Sequence, residues 1–66
     1  MIVKTNNSVY IVDAKNKQIF RRGDAHWKVN YEALEPIIIG RPLIATLSNG
    51  NIFRTSLVEK VGMNAL

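Results

Sequence analysis

PLIATLSNGNIFRT, residues 42–55, reads as a complete β-hairpin. Its two arms are rich in β-branched and other apolar side chains, which favour strands. The arms flank Asn49-Gly50, and both of these residues accept the positive φ angles of a two-residue type I′ turn. The segment therefore predicts two adjacent antiparallel strands. The predicted cross-strand pairs are Leu47 with Ile52 and Thr46 with Phe53.

A second hairpin lies earlier in the chain. Residues 9–12 (VYIV) and 18–22 (QIFRR) are typical of strands, and residues 13–17 (DAKNK) between them read as a tight turn. Asp13 suits the first position of a type I turn, and Asn16 tolerates the left-handed conformation that closes a three-residue loop. The predicted cross-strand pairs are Ile11 with Ile19 and Tyr10 with Phe20.

The remaining segments carry weaker signals. Residues 2–5 predict a short first strand, and residues 26–31 alternate well enough for an irregular strand. Asn30 could instead cap a single helical turn through Leu34. Residues 40–42 predict a turn.

The segment after the second hairpin fits two structures. Residues 56–59 match a capping box, which favours a short helix. Residues 55–61 also fit a closing strand with a tight turn near Ser56. We favour the strand because the segment continues directly from a strong one.

The two hairpins resemble each other, since KNKQIFR at 15–21 matches SNGNIFR at 48–54. Two similar ribbons around one core are the arrangement of small barrels. We therefore expect a single all-β or mostly β domain over residues 1–66. It would be a small SH3-like or OB-like barrel of about five strands, with room for one short helical turn.

Composition limits how this domain can be stabilised. The chain has 66 residues, 47% hydrophobic and 21% charged, so it is too apolar for a disordered tail. It has no cysteine for a disulfide, and a chain this short buries only a marginal core. Apolar side chains fall on both faces of the first hairpin, which predicts a homo-oligomer. The expected faces are Tyr10, Val12 and Phe20 on one side and Val9, Ile11 and Ile19 on the other.

Charge and hydropathy bear on partner and location. The net charge is +4 and the isoelectric point is near 9.9, which favours an acidic partner such as nucleic acid, a nucleotide or an acidic protein surface. The longest apolar run, residues 37–39, is far too short to span a bilayer. We expect no membrane association and a cytoplasmic location, which means the host cytoplasm if the protein is viral.

Arginine and aromatic residues form the candidate binding site. Arg21 and Arg54 occupy equivalent places in the two hairpins and would flank a common cleft. Guanidinium groups bind phosphate and aromatic rings stack on bases. The purely structural alternative is that the arginines are solvated side chains at strand edges and that the aromatic residues belong to the core. For Phe20 and Phe53 we favour the core. The candidate residues are Arg21, Arg22, Arg41 and Arg54 for phosphate, and Tyr10 and Trp27 for stacking.

Catalytic signals are poor. The sequence has no cysteine nucleophile, phosphate-binding glycine loop or nucleophile elbow. Asp24 and His26 could share a strand face, but no third catalytic partner accompanies them. We expect a protein that is not an enzyme, with no metal site and no cofactor.

GNIFRTSLV, residues 50–58, resembles a pattern of short phage- and prophage-encoded β proteins, in which a glycine turn leads to an aromatic and then Arg-Thr-Ser-x-Val. Leu57 stands where that pattern has proline. The resemblance implies a compact β-rich fold and a viral or mobile-element source. It brings no catalytic residues and no assigned ligand.

Three functions follow as hypotheses. The first is a non-enzymatic module that binds nucleic acid or a phosphorylated ligand through its basic face. The second is a protein–protein inhibitor or assembly factor that contacts a host protein through an apolar patch. The third is an oligomeric nucleotide sponge that holds its ligand between subunits without hydrolysing it.

Overall fold

Six antiparallel strands form a closed barrel in the computed structural model, which describes residues 1–63. Neighbours in sequence are neighbours in space, and the last strand pairs with the first. The structure confirms an all-β small barrel, with no helix in the described part of the chain. The strands are β1 (Ile2–Thr5), β2 (Val9–Asp13), β3 (Gln18–Arg21), β4 (Asp24–Leu34), β5 (Pro42–Leu47) and β6 (Ile52–Gly62).

The two eleven-residue strands, β4 and β6, connect the two halves of the barrel. The first part of β4 pairs with β3 and its last part with β5, while β6 pairs first with β5 and then with β1. Register shifts mark the changes of partner, and such bulges bend a strand. Both helical alternatives are therefore wrong, because residues 30–34 and 56–61 are strand. The turn expected near Ser56 is instead a bulge.

The barrel interior is filled by one inward-facing set of side chains from all six strands. Thr5 is the one buried polar residue of the described chain, and its hydroxyl exchanges hydrogen bonds of 3.1 Å with the backbone of Ser8 in the β1–β2 turn. A satisfied hydroxyl costs little to bury. The buried apolar residues are Val3, Tyr10, Val12, Ile19, Tyr31, Leu43, Ala45 and Val58.

The turn between β5 and β6 differs from the predicted type. The amide of Gly50 donates to the carbonyl of Leu47 at 2.9 Å, and the amide of Leu47 donates to the carbonyl of Asn51 at 2.8 Å. Gly50 has φ +88°, whereas Asn49 keeps a negative φ, so this is a three-residue loop with a glycine bulge rather than a type I′ turn. The extra loop residue moves the register by one. The observed pairs are Thr46 with Ile52 and Ala45 with Phe53, and the predicted pairs were wrong.

The turn between β2 and β3 is also one residue longer than predicted. Lys17, not Asn16, takes the left-handed conformation, with φ 53°. Asp13 behaves as predicted, because its carboxylate accepts the amides of Lys15 and Asn16 at 3.1 and 3.2 Å. The Asn16 side chain donates to the same carboxylate at 2.9 Å, and these bonds from Asn16 hold the pKa of Asp13 below its usual value.

The longer β2–β3 loop exchanges the two faces of β3. The observed pairs are Val12 with Ile19 and Ile11 with Phe20, so the predicted pairs of this hairpin were wrong. Ile19 lies in the core, while Phe20 is on the outer face of the sheet beside Ile11. A one-residue slip has this effect because strand side chains alternate between faces.

Backbone strain at the two hairpin loops gives a paired test. Gly50→Ala should lower the free energy of unfolding by about 1 kcal/mol, because alanine is strained at positive φ. Lys17→Gly should raise it by about 0.5 kcal/mol, since glycine removes the same strain at a greater entropic cost. Urea denaturation measures both. Equal tolerance of alanine and glycine at position 50 would contradict the observed turn.

Candidate functional site

Three aromatic rings meet inside the barrel where the even-numbered strands begin. Tyr10 of β2, Trp27 of β4 and Phe53 of β6 have ring centroids 5.4 to 5.7 Å apart, at tilted or edge-to-face angles. These are favourable aromatic geometries, and each pair adds about 0.5–1.5 kcal/mol beyond burial. The cluster closes one end of the barrel and joins strands that are not sheet neighbours.

Arg21 covers this aromatic cluster. It lies opposite Tyr10 in the β2–β3 ladder, and its guanidinium carbon is 4.8 Å from the Trp27 ring centroid. The Nε atom of Arg21 is buried and has no hydrogen-bond partner among the described residues. The structure therefore brings together two predicted site residues, Arg21 and Trp27, as a packed cation–π pair.

The packing of the cluster leaves little room for base stacking. Tyr10 is only 7% exposed, so its ring is a core element and the expected stacking role has no accessible ring face. Trp27 is half-buried, and its neighbours are Arg21, Tyr10 and Phe53. Phe53 packs against the core as predicted, whereas Phe20 does not.

The other three candidate arginines lie on separate parts of the surface. Phe53 faces the barrel interior, so the next residue, Arg54, points to the outer face of β6 and is exposed. Arg22 is in the β3–β4 turn, and Arg41 precedes β5. Arg21 and Arg54 consequently do not flank a common cleft. Phosphate binding by any of the four arginines stays a prediction.

An apolar band begins at the end of the barrel opposite the aromatic cluster, which we call the open end because a concavity lies there. It continues along the outer face of β2 and β3 to the β3–β4 turn. At the open end, the loop before β5 and the ends of β4 and β6 line a shallow, solvent-open concavity of about 730 Å³. Met1 and Leu34 line both this concavity and a second one beside β2 and β3. Ile11 and Phe20 line both the second concavity and a third one at the β3–β4 turn. We define the apolar band by Met1, Ile11, Phe20, Leu34, Ile37, Ile38, Ile39, Val61 and Met63. Phe20, Leu34 and Ile37 are half-buried, and the last two also pack against the core.

Sequence reasoning missed most of this band. It predicted apolar side chains on both faces of the first hairpin without assigning the outward face. It also grouped Phe20 with Tyr10 and Val12, whereas Phe20 shares a face with Ile11. It did not connect Ile11 and Phe20 to residues 37–39, which lie in a loop rather than a strand. Three isoleucines between a proline and a glycine were a usable signal, because such a run outside a strand has few inward positions.

Groups that could perform chemistry are sparse. The Asp24 carboxylate accepts a hydrogen bond from the backbone amide of His26 at 3.3 Å, and His26 is exposed. Within residues 1–63, no three acidic, histidine or cysteine side chains come close enough to hold a metal ion. That part of the chain also has no helix with the length and hydropathy of a membrane span.

Comparison with protein-family models, with curated proteins and with solved structures found no match. The resemblance to phage and prophage β proteins therefore stays a prediction, and the site must be interpreted from its own geometry.

The Arg21–Trp27 contact can be tested by a conservative change. Arg21→Lys should lower the free energy of unfolding by about 1 kcal/mol, because an ammonium group lacks the planar surface that packs on the indole. Arg54→Lys is the matched control on the exposed outer face and should change stability by less than about 0.5 kcal/mol. Urea denaturation followed by tryptophan fluorescence measures both. If both variants lose the same free energy of unfolding, the contact between Arg21 and Trp27 does not stabilise the fold.

Proposed function

We propose that this protein is a non-enzymatic binding module that contacts another protein through the apolar band. The supporting observation is the distribution of exposed apolar side chains. Among the described residues, six of the eight large apolar side chains that are exposed belong to the band. These six are Met1, Ile11, Ile38, Ile39, Val61 and Met63.

Exposed apolar surface of this kind has an energetic cost that a partner removes. Burying a large aliphatic side chain stabilises a complex by about 1.5–3 kcal/mol when it starts fully exposed. Monomeric proteins rarely expose such side chains contiguously, and large contiguous patches mark interaction sites. Scattered apolar residues, such as Ile52 on the opposite sheet, are ordinary.

The packing of the barrel interior also favours the outer surface as the binding surface. Its aromatic residues pack against one another and against Arg21, so they serve the fold rather than a ligand. The SH3-like or OB-like assignment and a phage or mobile-element source remain predictions. A small inhibitor or assembly factor acting on a host protein is consistent with this proposal.

Nucleic-acid binding is the second candidate, and a different observation favours it. Lys4, Lys28 and Lys60 lie on the outer face that also carries Phe20, as the strand registers require. Phe20 is half-buried, and basic side chains on the same face as an accessible aromatic ring are typical of surfaces that bind single strands. Lys4 is already paired with Glu59 at 2.9 Å, which reduces the free charge of this face.

Site-specific cross-linking tests the protein-binding proposal. Ile39 in the band and Ile52 outside it are 64% and 62% exposed, so they form a matched pair. A photo-crosslinking amino acid replaces each in turn in the cells that make the protein. Position 39 should give discrete protein cross-links, and position 52 should give few. Equal yields at the two positions, or products with nucleic acid alone at position 39, would refute the proposal.

A salt titration tests the second candidate. If the outer lysines bind phosphates, the affinity for a fluorescent single-stranded oligonucleotide should fall steeply between about 50 and 200 mM salt. Replacing Lys28 and Lys60 by glutamine should reduce the log–log slope by about 0.7 for each residue. Arg54→Gln, on the other sheet, is the control. Fluorescence anisotropy gives the slopes, and an unchanged slope would exclude this face.

A further inference from the structure

Two side chains of opposite charge lie at the two ends of the apolar band. Glu35 lines the concavity at the open end of the barrel, and Arg22 lines the band at the β3–β4 turn. Both residues are held by backbone hydrogen bonds, from the Glu35 amide to Ile44 at 3.0 Å and from the Arg22 amide to Val9 at 2.8 Å. Neither side chain has an ion-pair or hydrogen-bond partner among residues 1–63.

The other charged groups that line the band make contacts within the chain. The Met1 ammonium group, in the same concavity as Glu35, donates to the Val12 carbonyl at 3.1 Å. The Asp13 carboxylate accepts three hydrogen bonds within its own turn. Asp24 accepts the backbone amide of His26, and Arg21 packs over Trp27. Among the charged side chains that line the band, Glu35 and Arg22 are thus the two without an ion-pair or hydrogen-bond partner in residues 1–63, one at each end. Lys28, opposite Phe20 in the β3–β4 ladder, lies beside the middle of the band.

This arrangement is self-complementary. In a two-fold dimer the same patch meets itself, so a group at one end of the patch faces the group at the other end, and each contact occurs twice. Two copies of the band placed antiparallel bring Glu35 of each chain to Arg22 of the other. A parallel placement would oppose like charges, which is unfavourable.

We propose that the band binds a second copy of this chain in a two-fold dimer joined by two Glu35–Arg22 pairs. This inference rests on the proposed protein-binding function and names its partner. A standard stable interface buries about 800 Å² of each partner. The whole chain exposes 4455 Å², so such an interface needs under a fifth of its surface. The band crosses the barrel end and one sheet face and contains six of the eight exposed large apolar side chains of the described residues.

Charge reversal tests the pairing. The apparent mass of the 7.4-kDa chain is measured by sedimentation equilibrium between about 1 and 100 μM, with circular dichroism to verify folding. The natural chain should approach twice its monomer mass as concentration rises. Glu35→Arg or Arg22→Glu alone should raise the dimer dissociation constant at least about tenfold, because each opposes like charges across the interface. The double variant should return it to within a few-fold of the natural value.

Arg54→Glu is the control, because Arg54 is exposed on the outer face of β6 in the other sheet and its reversal leaves the charges at the band unchanged. A monomer throughout the concentration range overturns the inference, as does a dimer that both single reversals leave intact. A monomeric chain that still cross-links a different protein through position 39 refutes the second copy but retains the proposed function. If the chain stays monomeric and position 39 also gives no protein cross-links, the proposed protein-binding function is refuted as well.

Discussion

The capacity of the barrel interior constrains every other feature of this protein. Six strands enclose one set of inward side chains, and that space is taken by eight buried apolar residues, Tyr10 among them, and by the rings of Trp27 and Phe53. Protein interiors are close-packed, so further side chains cannot enter without strain. Apolar residues beyond this capacity must lie outside. With no helix in the described chain to cover them, they form the exposed band.

The same limited interior explains why the arginine–aromatic set is structural. The aromatic cluster fills one end of the barrel with three bulky rings from alternate strands. Arg21 covers the aromatic cluster because a guanidinium group can stack on the Trp27 indole while its charged end stays near solvent. Arg21, Tyr10 and Trp27, whose side-chain chemistry suggested ligand recognition in the sequence, therefore pack together to close the fold.

Several features of the fold could be predicted from residues 42–55 and 9–22 alone. Strand-forming runs on either side of turn residues identify hairpins with little reference to the rest of the chain. Loop length was not predictable to one residue. Asn49-Gly50 fits both a type I′ turn and a three-residue loop, and Asn16 and Lys17 are adjacent candidates for one left-handed position. That single residue determines the register, and with it the faces of Ile19 and Phe20.

The sequence by itself determined the class of structure, the hairpin locations and the excess of apolar residues over a small interior, because these depend on local propensity and composition. Only the tertiary structure decided which apolar residues share a surface. Met1, Phe20, residues 37–39 and Val61 are far apart in the chain, and closure of β6 onto β1 brings them together. Their proximity depends on strand register and on barrel closure, which are set by long-range packing rather than by any local pattern.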